Sequence, residues 1–410
     1  MAGLAALAVA YVLSQFYRSF LAVLTPSLIA ELGATKAQLS LASGAWFVAF
    51  ALSQFAVGVS LDRYGPKRTA AVMLALGGGG GAVMFAGATE PWMVTAAMTM
   101  IGIGCAPVLM ASVFIFARTF SPARLAILIS WLIGVGSLGN VIGASPLAAA
   151  ADAFGWRPVM IGLGVVTLAT AVAILIFVND PERHAGGEGD NGFAGYIELL
   201  RLKALWPLIP LVGLNYAAAA GIRGLWAGPY LTDVYGADAL MIGQVTLFMA
   251  LAMVVGNFVY GPLDTLFGTR KWVAVVGNAI SLAALVAIAL NPVSGIAVAT
   301  AMLVVIGVAG ASFGLLMAHG RAFLPPHLTG RGVTLLNFFS IGTVGLMQFA
   351  TGGVVTVSAV PGEPAAAFQA LFWFYAAMLA FAIVVYLFAR DARPEKAPAE
   401  LKEAGSRSTP

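Results

Sequence analysis

Charge is what this chain has least of. Of its 410 residues only 9% are Asp, Glu, Lys or Arg, while 60% are hydrophobic. A soluble domain carries about 25% charged residues. Too few polar side chains exist here to cover a water-facing surface, so a soluble fold is excluded. Cysteine is nearly absent as well. Cys105 stands alone, so no internal disulfide can form and the redox compartment stays unread. No basic stretch precedes the first apolar run, which continues to Leu32. That run is expected to stay as a first helix, not to act as a cleaved signal. The formal charge of +4 does not imply nucleic acid, because the positions of the charges decide their meaning.

What remains suits a bilayer. Each spanning helix needs about 20 mostly apolar residues. The sequence supplies twelve such runs, at roughly 4–32, 38–61, 68–88, 92–117, 125–150, 157–178, 206–232, 238–262, 272–290, 294–322, 332–357 and 366–389. The expected fold is an all-α membrane protein of two six-helix bundles, residues 1–178 and 206–390. A polar linker, 179–205, joins them; its start is glycine-rich and its later part suggests a helix on the membrane surface. A charged tail, 391–410, is expected to be disordered. The 48 glycines and 20 prolines fit close helix approach and kinks in membrane bundles. With both termini cytoplasmic, 17 of the 21 Lys and Arg residues fall on the cytoplasmic side. Only Lys36 and Arg157 fall outside, as the positive-inside rule requires. Arg18 and Arg223 lie within helices.

The halves are related in sequence. A shift of 203 positions aligns Pro26 with Pro229, Gly33 with Gly236, Gly58 with Gly261 and Gly104 with Gly307. It also aligns Arg118, Phe120 and Pro122 with Arg321, Phe323 and Pro325. Two six-helix halves of like topology imply parallel repeats about an axis along the membrane normal, rocking around a midplane site.

The segment Gly58 to Arg68 reads GVSLDRYGPKR. Its Gly58, Asp62, Arg63, Gly65, Lys67 and Arg68 match the signature between helices two and three of the major facilitator superfamily, which the chain resembles. A looser copy, GPLDTLFGTRK, carries Asp264, Gly268, Arg270 and Lys271 in the second half. The resemblance implies that Asp62, Arg63, Arg68, Asp264 and Arg270 gate the cytoplasmic side. Gly58 is expected to allow close packing and Gly65 a sharp turn. In helix five, GVGSLGNVIGASP contains a GxGxxG, but no strand precedes it, so a dinucleotide site is excluded and packing at the interface of the halves is expected. GASFG, from Gly310 to Gly314, has the form of a nucleophile elbow but sits mid-span, where helix packing is expected.

No Asp or Glu falls in the middle of any span, so Arg18 and Arg223 share the membrane interior without a carboxylate. A charge at that depth costs about 2.5–3.5 kcal/mol on insertion scales and marks a pathway or a ligand. The missing counterion points to an anionic substrate. YRSFLAVLTP, from Tyr17 to Pro26, resembles helix one of the organophosphate and organic-anion branch of the superfamily. There an Arg eight residues before a Pro, with a second Arg in helix seven, forms an anion clamp. Arg223 lies two positions past the strict repeat partner of Arg18, Gly221, and a helix break there would restore its facing. Expected substrate contacts are Arg18, Arg223, Tyr17, Gln15, Tyr216, His319 and Asn337. Tyr11, Trp46, Asn215 and Gln348 are further cavity candidates.

The reading is therefore a secondary transporter of a small organic anion, a carboxylate or phosphate ester, working by exchange or proton-linked movement. A nitrate or nitrite porter and a non-transporting membrane sensor are the alternatives. No enzyme chemistry, metal, cofactor or nucleic-acid partner is expected. A monomer in a bacterial inner membrane is.

Overall fold

The computed structural model describes residues 2–120, 122–180, 194–325 and 328–392. Much of the linker (181–193) and of the tail (393–410) lies outside them. The described residues form helices and no β-strand, as a lipid environment demands, since each segment must satisfy its own backbone polar groups.

In chain order the segments are α1 (Ala2–Phe16 and Leu21–Leu32), α2 (Lys36–Tyr64) and α3 (Pro66–Met73, π turns Leu74–Gly79, Gly80–Ala86). Next come α4 (Pro91–Cys105 and Pro107–Thr119), α5 (Pro122–Ile142 and Ser145–Phe154) and α6 (Trp156–Phe177). A short helix, Ala194–Leu200, precedes α7 (Ile209–Gly221, π turns Ile222–Trp226, Ala227–Tyr235). The chain continues with α8 (Ala239–Phe267), α9 (Lys271–Leu290) and α10 (Ile296–Ala309 and Phe313–Arg321). It closes with α11 (Thr329–Val357) and α12 (Pro364–Tyr386). Among the described residues nine helices are long and apolar enough to cross a membrane, and two bent pairs bring the number to eleven. The interrupted α7 is the twelfth segment.

The sequence repeat reappears as repeated punctuation. Gly33 and Gly236 end α1 and α7 with φ of 61° and 67°, a left-handed cap that glycine adopts without a Cβ clash. Two residues on, Thr35 and Asp238 cap α2 and α8. Thr35 Oγ1 accepts from Gln38 N–H at 3.2 Å and Asp238 Oδ1 from Met241 N–H at 2.8 Å. A carboxylate just past each half's sixth segment caps that half's third. Lys67 N–H donates to Asp180 Oδ1 at 2.8 Å and Lys271 N–H to Asp391 Oδ1 at 3.0 Å.

Several spans expected as single helices are broken. α1 bends by 53° across Tyr17–Phe20 and α5 by 41° across Gly143–Ala144. In α1 the turn tightens: Arg18 N–H reaches Gln15 O, Ser19 N–H reaches Phe16 O, and the Ser19 hydroxyl donates to Phe16 O too. α4 breaks at Ala106, α7 passes through π turns, and α10 breaks over residues 310–312. The GASFG segment is thus an interruption rather than a continuous packed helix.

Two packing expectations change. Gly58 has no neighbour within 4 Å of an added Cβ, so it does not serve close approach. The glycines of α5 pack within their own half rather than between halves. A Cβ at Gly136 would strike the Tyr11 ring, and one at Gly139 would strike Val12 O. Close backbone approach of α5 to α1 is what their small size permits.

The halves meet mainly through α2 against α11, α1 against α7, and α5 against α8. Gly44 lies under Phe349, Gly345 against Val48, Gly228 against Ala22 O and Gly243 against Ala148. Lys36 of α2 and Asp233 of α7 form an ion pair at the same end. This end, marked by the α1–α2 and α7–α8 turns, is closed. α2 and α11 stay in contact down to Phe55 and Phe338, whose ring centroids are 5.1 Å apart.

Candidate functional site

The breaks in α1 and α7 hold the two arginines. Arg18 sits in the α1 turn, half-buried. Its guanidinium lies 4.8 Å from the Phe50 ring centroid and 5.5 Å from that of Trp46, both on α2. The ring faces stabilise a cation without consuming its hydrogen-bond donors. Arg223 lies in the π turns of α7 and is 2% exposed. The extra residue in a π turn rotates it relative to a straight helix. Its Nη2 donates across the interface to Asn140 Oδ1 on α5 at 2.9 Å. Tyr216, about two turns earlier on α7, interacts with the same guanidinium, and Arg18 lies near enough to repel it.

The unpartnered atoms around this pair are all donors. Arg18 Nε, Arg223 Nε and Trp46 Nε1 are buried without an acceptor. The ion pairs Lys36–Asp233, Arg157–Glu31 and Arg270–Asp264 all lie away from the arginines. Buried donors and two cations without a carboxylate make a surface complementary to an anion.

Not every residue expected at the site is there. Gln15 is: its amide donates to Tyr11 OH at 2.8 Å, and Tyr11 interacts with Arg18 and Tyr216. Tyr17 turns into the first half, its hydroxyl 3.0 Å from Thr167 Oγ1 on α6. Asn337 is half-buried on α11 beside Phe338. His319 is fully buried at the opposite end from the Lys36–Asp233 pair. Its Nδ1 is 2.5 Å from Tyr386 OH and its Nε2 2.9 Å from Arg390 O. Both nitrogens are occupied in fastening α10 to the end of α12, so the structure does not bring this residue to the arginines.

Of the gating residues, Asp264 and Arg270 pair at 3.0 Å and are mostly buried. Arg270 Nη1 also reaches Ala318 O on α10 at 3.4 Å. Arg63 lies over the Tyr64 ring and Arg68 is exposed. The Asp62 side chain lies outside the described residues. Asp391 caps the same corner outside the membrane. Partial burial pushes its carboxyl up, but hydrogen bonds from the Thr269 hydroxyl and the Lys271 and Arg270 N–H groups, with the His319 charge, hold it below the usual value.

Sequence reasoning named Gln348 as a cavity residue but missed the polar network it ties on the closed side of the arginines. Gln348 of α11 is fully buried. Its amide nitrogen donates to Ser43 Oγ of α2 at 3.1 Å and to Gly221 O of α7 at 3.2 Å. Its amide oxygen accepts from Trp226 Nε1 at 3.0 Å, and its backbone carbonyl accepts from Ser40 of α2. Trp226 and Arg223 occupy the same π turns. Asn140 was missed as an arginine partner; an amide inside a glycine-rich span was the available signal. Elsewhere, an apolar groove of about 640 Å³ between α8, α9 and α10 is lined by residues such as Val259, Phe267 and Ile280. Its lining is almost entirely apolar, unlike the surroundings of the arginines.

The Major Facilitator Superfamily model matches residues 7–226 and again 208–410. The chain belongs to that superfamily. It is 23% identical over 269 residues to the probable sulfoacetate transporter SauU of Cupriavidus necator, a match covering 62% of each chain. The chain thus spans about six-tenths of that relative's length. Among solved structures it is similar to a bacterial homologue of the human lysosomal transporter Spinster, at TM-score 0.73 and 18% identity, covering 94% of this chain and 96% of that one. It is also similar to a D-xylose–proton symporter, at TM-score 0.76 and 13% identity, covering 96% and 97%. At these identities the structures define the fold. That family makes the chain a membrane transport protein rather than an enzyme.

Proposed function

We propose that this transporter carries a small organic anion, a carboxylate, phosphate ester or sulfonate, by alternating access around Arg18 and Arg223. The observation that carries the reading is the set of unpartnered donors around two membrane-buried guanidiniums with no carboxylate beside them. The matched relative's name supplies a first probe, since sulfoacetate bears two anionic groups and the site bears two cations. With Lys and Arg inside, the closed end is the outer one and both termini are cytoplasmic. The host is the cell membrane of a bacterium, and one chain is the working unit. Exchange of anions, or a proton moving with the substrate, energises transport.

Uptake of labelled sulfoacetate, glycerol phosphate, succinate and nitrate into proteoliposomes preloaded with each anion tests the reading. Saturable exchange of an organic anion, lost in Arg18→Ala, is the expected result. Uptake of nitrate alone would favour the porter alternative, and no uptake of any anion would leave the sensor reading in its place.

A further inference from the structure

A second buried polar cluster has the opposite chemistry. It lies inside the second half, where α7, α9 and the break in α10 meet. Asn215 of α7 is 1% exposed, Asn278 of α9 is fully buried and Ser281, one turn further on α9, is 1% exposed. Ser312 closes the break in α10 and is fully buried. Its Oγ accepts from Asn215 Nδ2 at 3.2 Å and from Asn278 Nδ2 at 3.1 Å. Asn278 Nδ2 also donates to Ala274 O at 2.9 Å. Both N–H donors of Asn278 and one of Asn215 are thereby committed. Asn215 Oδ1, Asn278 Oδ1 and Ser281 Oγ have no hydrogen-bond partner.

An amide oxygen can only accept, so these atoms call for a donor or a cation. At the arginines every unpartnered atom is a donor; here two of three are obligate acceptors. Unpartnered amide oxygens favour a cation over an anion. The cluster has no carboxylate, sulfur or imidazole, and a divalent ion held by neutral side-chain oxygens alone would be undercompensated. An interrupted helix near a transporter's midplane is also where alkali ions are coordinated, by oxygens that a continuous helix would not present.

We propose that Asn215, Asn278 and Ser281 bind a monovalent alkali cation, sodium, with Ser312 positioning the two amides. The site adjoins the anion clamp through about two helix turns of α7. Asn215 precedes Tyr216, which contacts Arg223, so sodium here fixes the stretch of α7 that orients the second arginine. Cation binding stands apart from the anion reading, because no atom is shared between the two clusters.

The test is the thermal unfolding midpoint of the detergent-purified protein in sodium, potassium, lithium and choline chloride at one ionic strength, without organic anion. Binding to the folded state raises the midpoint with ligand concentration. Sodium is expected to give a saturable rise over choline. Ser281→Ala, which removes only an unpartnered hydroxyl, should weaken it several-fold, and Asn278→Asp should shift half-saturation to lower sodium. The same rise should persist in Arg18→Ala, which separates this site from the clamp. Equal midpoints in all four salts would mean that the cluster holds water only. A sodium response unchanged in both Ser281→Ala and Asn278→Asp would place the ion elsewhere. Either result overturns the proposal.

Discussion

Arg18 and Arg223 occupy corresponding helices of the two halves, yet they are held by opposite means. Arg18 hangs from a bent turn over two aromatic faces, half-buried and with its donors free. Arg223 is buried in π turns, tied across the interface to Asn140, and shares those turns with Trp226, which is anchored to Gln348. The contrast separates two tasks. The first arginine can follow a ligand, since ring faces do not fix its orientation. The second is part of the joint between the halves, so a charge placed on it bears on the closed end through Trp226, Gln348 and Ser43.

Replacing each arginine should break this symmetry of position. Arg223→Ala leaves Asn140 unpaired as well as removing charge, so anion affinity should fall by roughly a hundredfold or more, and the unfolding midpoint should drop too. Arg18→Ala should cost about ten- to a hundredfold in affinity and little stability, because cation–π contact contributes about 2 kcal/mol or less. Lysine sharpens the difference. Arg18→Lys should recover part of the affinity, while Arg223→Lys should not, since an ammonium lacks the planar fork that serves Asn140 and ligand together. Anion titrations of the four purified variants decide this.

The joint can be loosened without touching either arginine. Gln348→Leu removes both amide contacts to α2 and α7 and leaves the Trp226 N–H with Thr351 Oγ1 alone. Thiol labelling of a cysteine placed at Ala42, buried beside that joint on α2, should then rise several-fold, as the closed end opens more often. Asp233→Asn, which breaks the half-exposed pair with Lys36, should raise labelling less, because such pairs contribute only about 0–1 kcal/mol. Equal effects would mean that the ion pair, not the buried amide, holds that end.

The smallest effect expected lies at the other end, at Asp391. Its depressed carboxyl pKa gives stability that is present above the unfolded-state value and is lost as pH falls through the lower folded one. Melting points of wild type and Asp391→Asn should therefore differ at neutral pH and converge below about pH 4.

Much of the fold was legible because it rests on local chemistry that repeats. Gly33 and Gly236, and Gly65 and Gly268, all take positive φ, and no other residue does so as cheaply. The mid-span arginines were legible because a charge in lipid is costly. The breaks were harder to read. Nothing in YRSF marks a 53° bend, which arises from tightened hydrogen bonding and the packing of Phe16, Tyr17 and Phe20. Tyr17 illustrates the consequence: the bend turns it toward Thr167, away from the residue beside it in sequence. The π turns of α7 answered the two-residue offset of Arg223, which a straight helix could not. The bonds made by Asn140 and Gln348 were out of reach, although Gln348 was a candidate, since a lone amide in an apolar helix does not announce what it bonds.

The central claim is that both arginines bind one anion. The most direct test is a double-mutant cycle on anion-dependent thermal stabilisation, using wild type, Arg18→Ala, Arg223→Ala and the double variant with sulfoacetate or the best organic anion found. A shared ligand predicts strong non-additivity: either single change removes most of the stabilisation, and the double change adds little more. Additive losses would place the arginines on separate ligands. Stabilisation that survives in the double variant would show that neither arginine holds the anion, and would contradict the account.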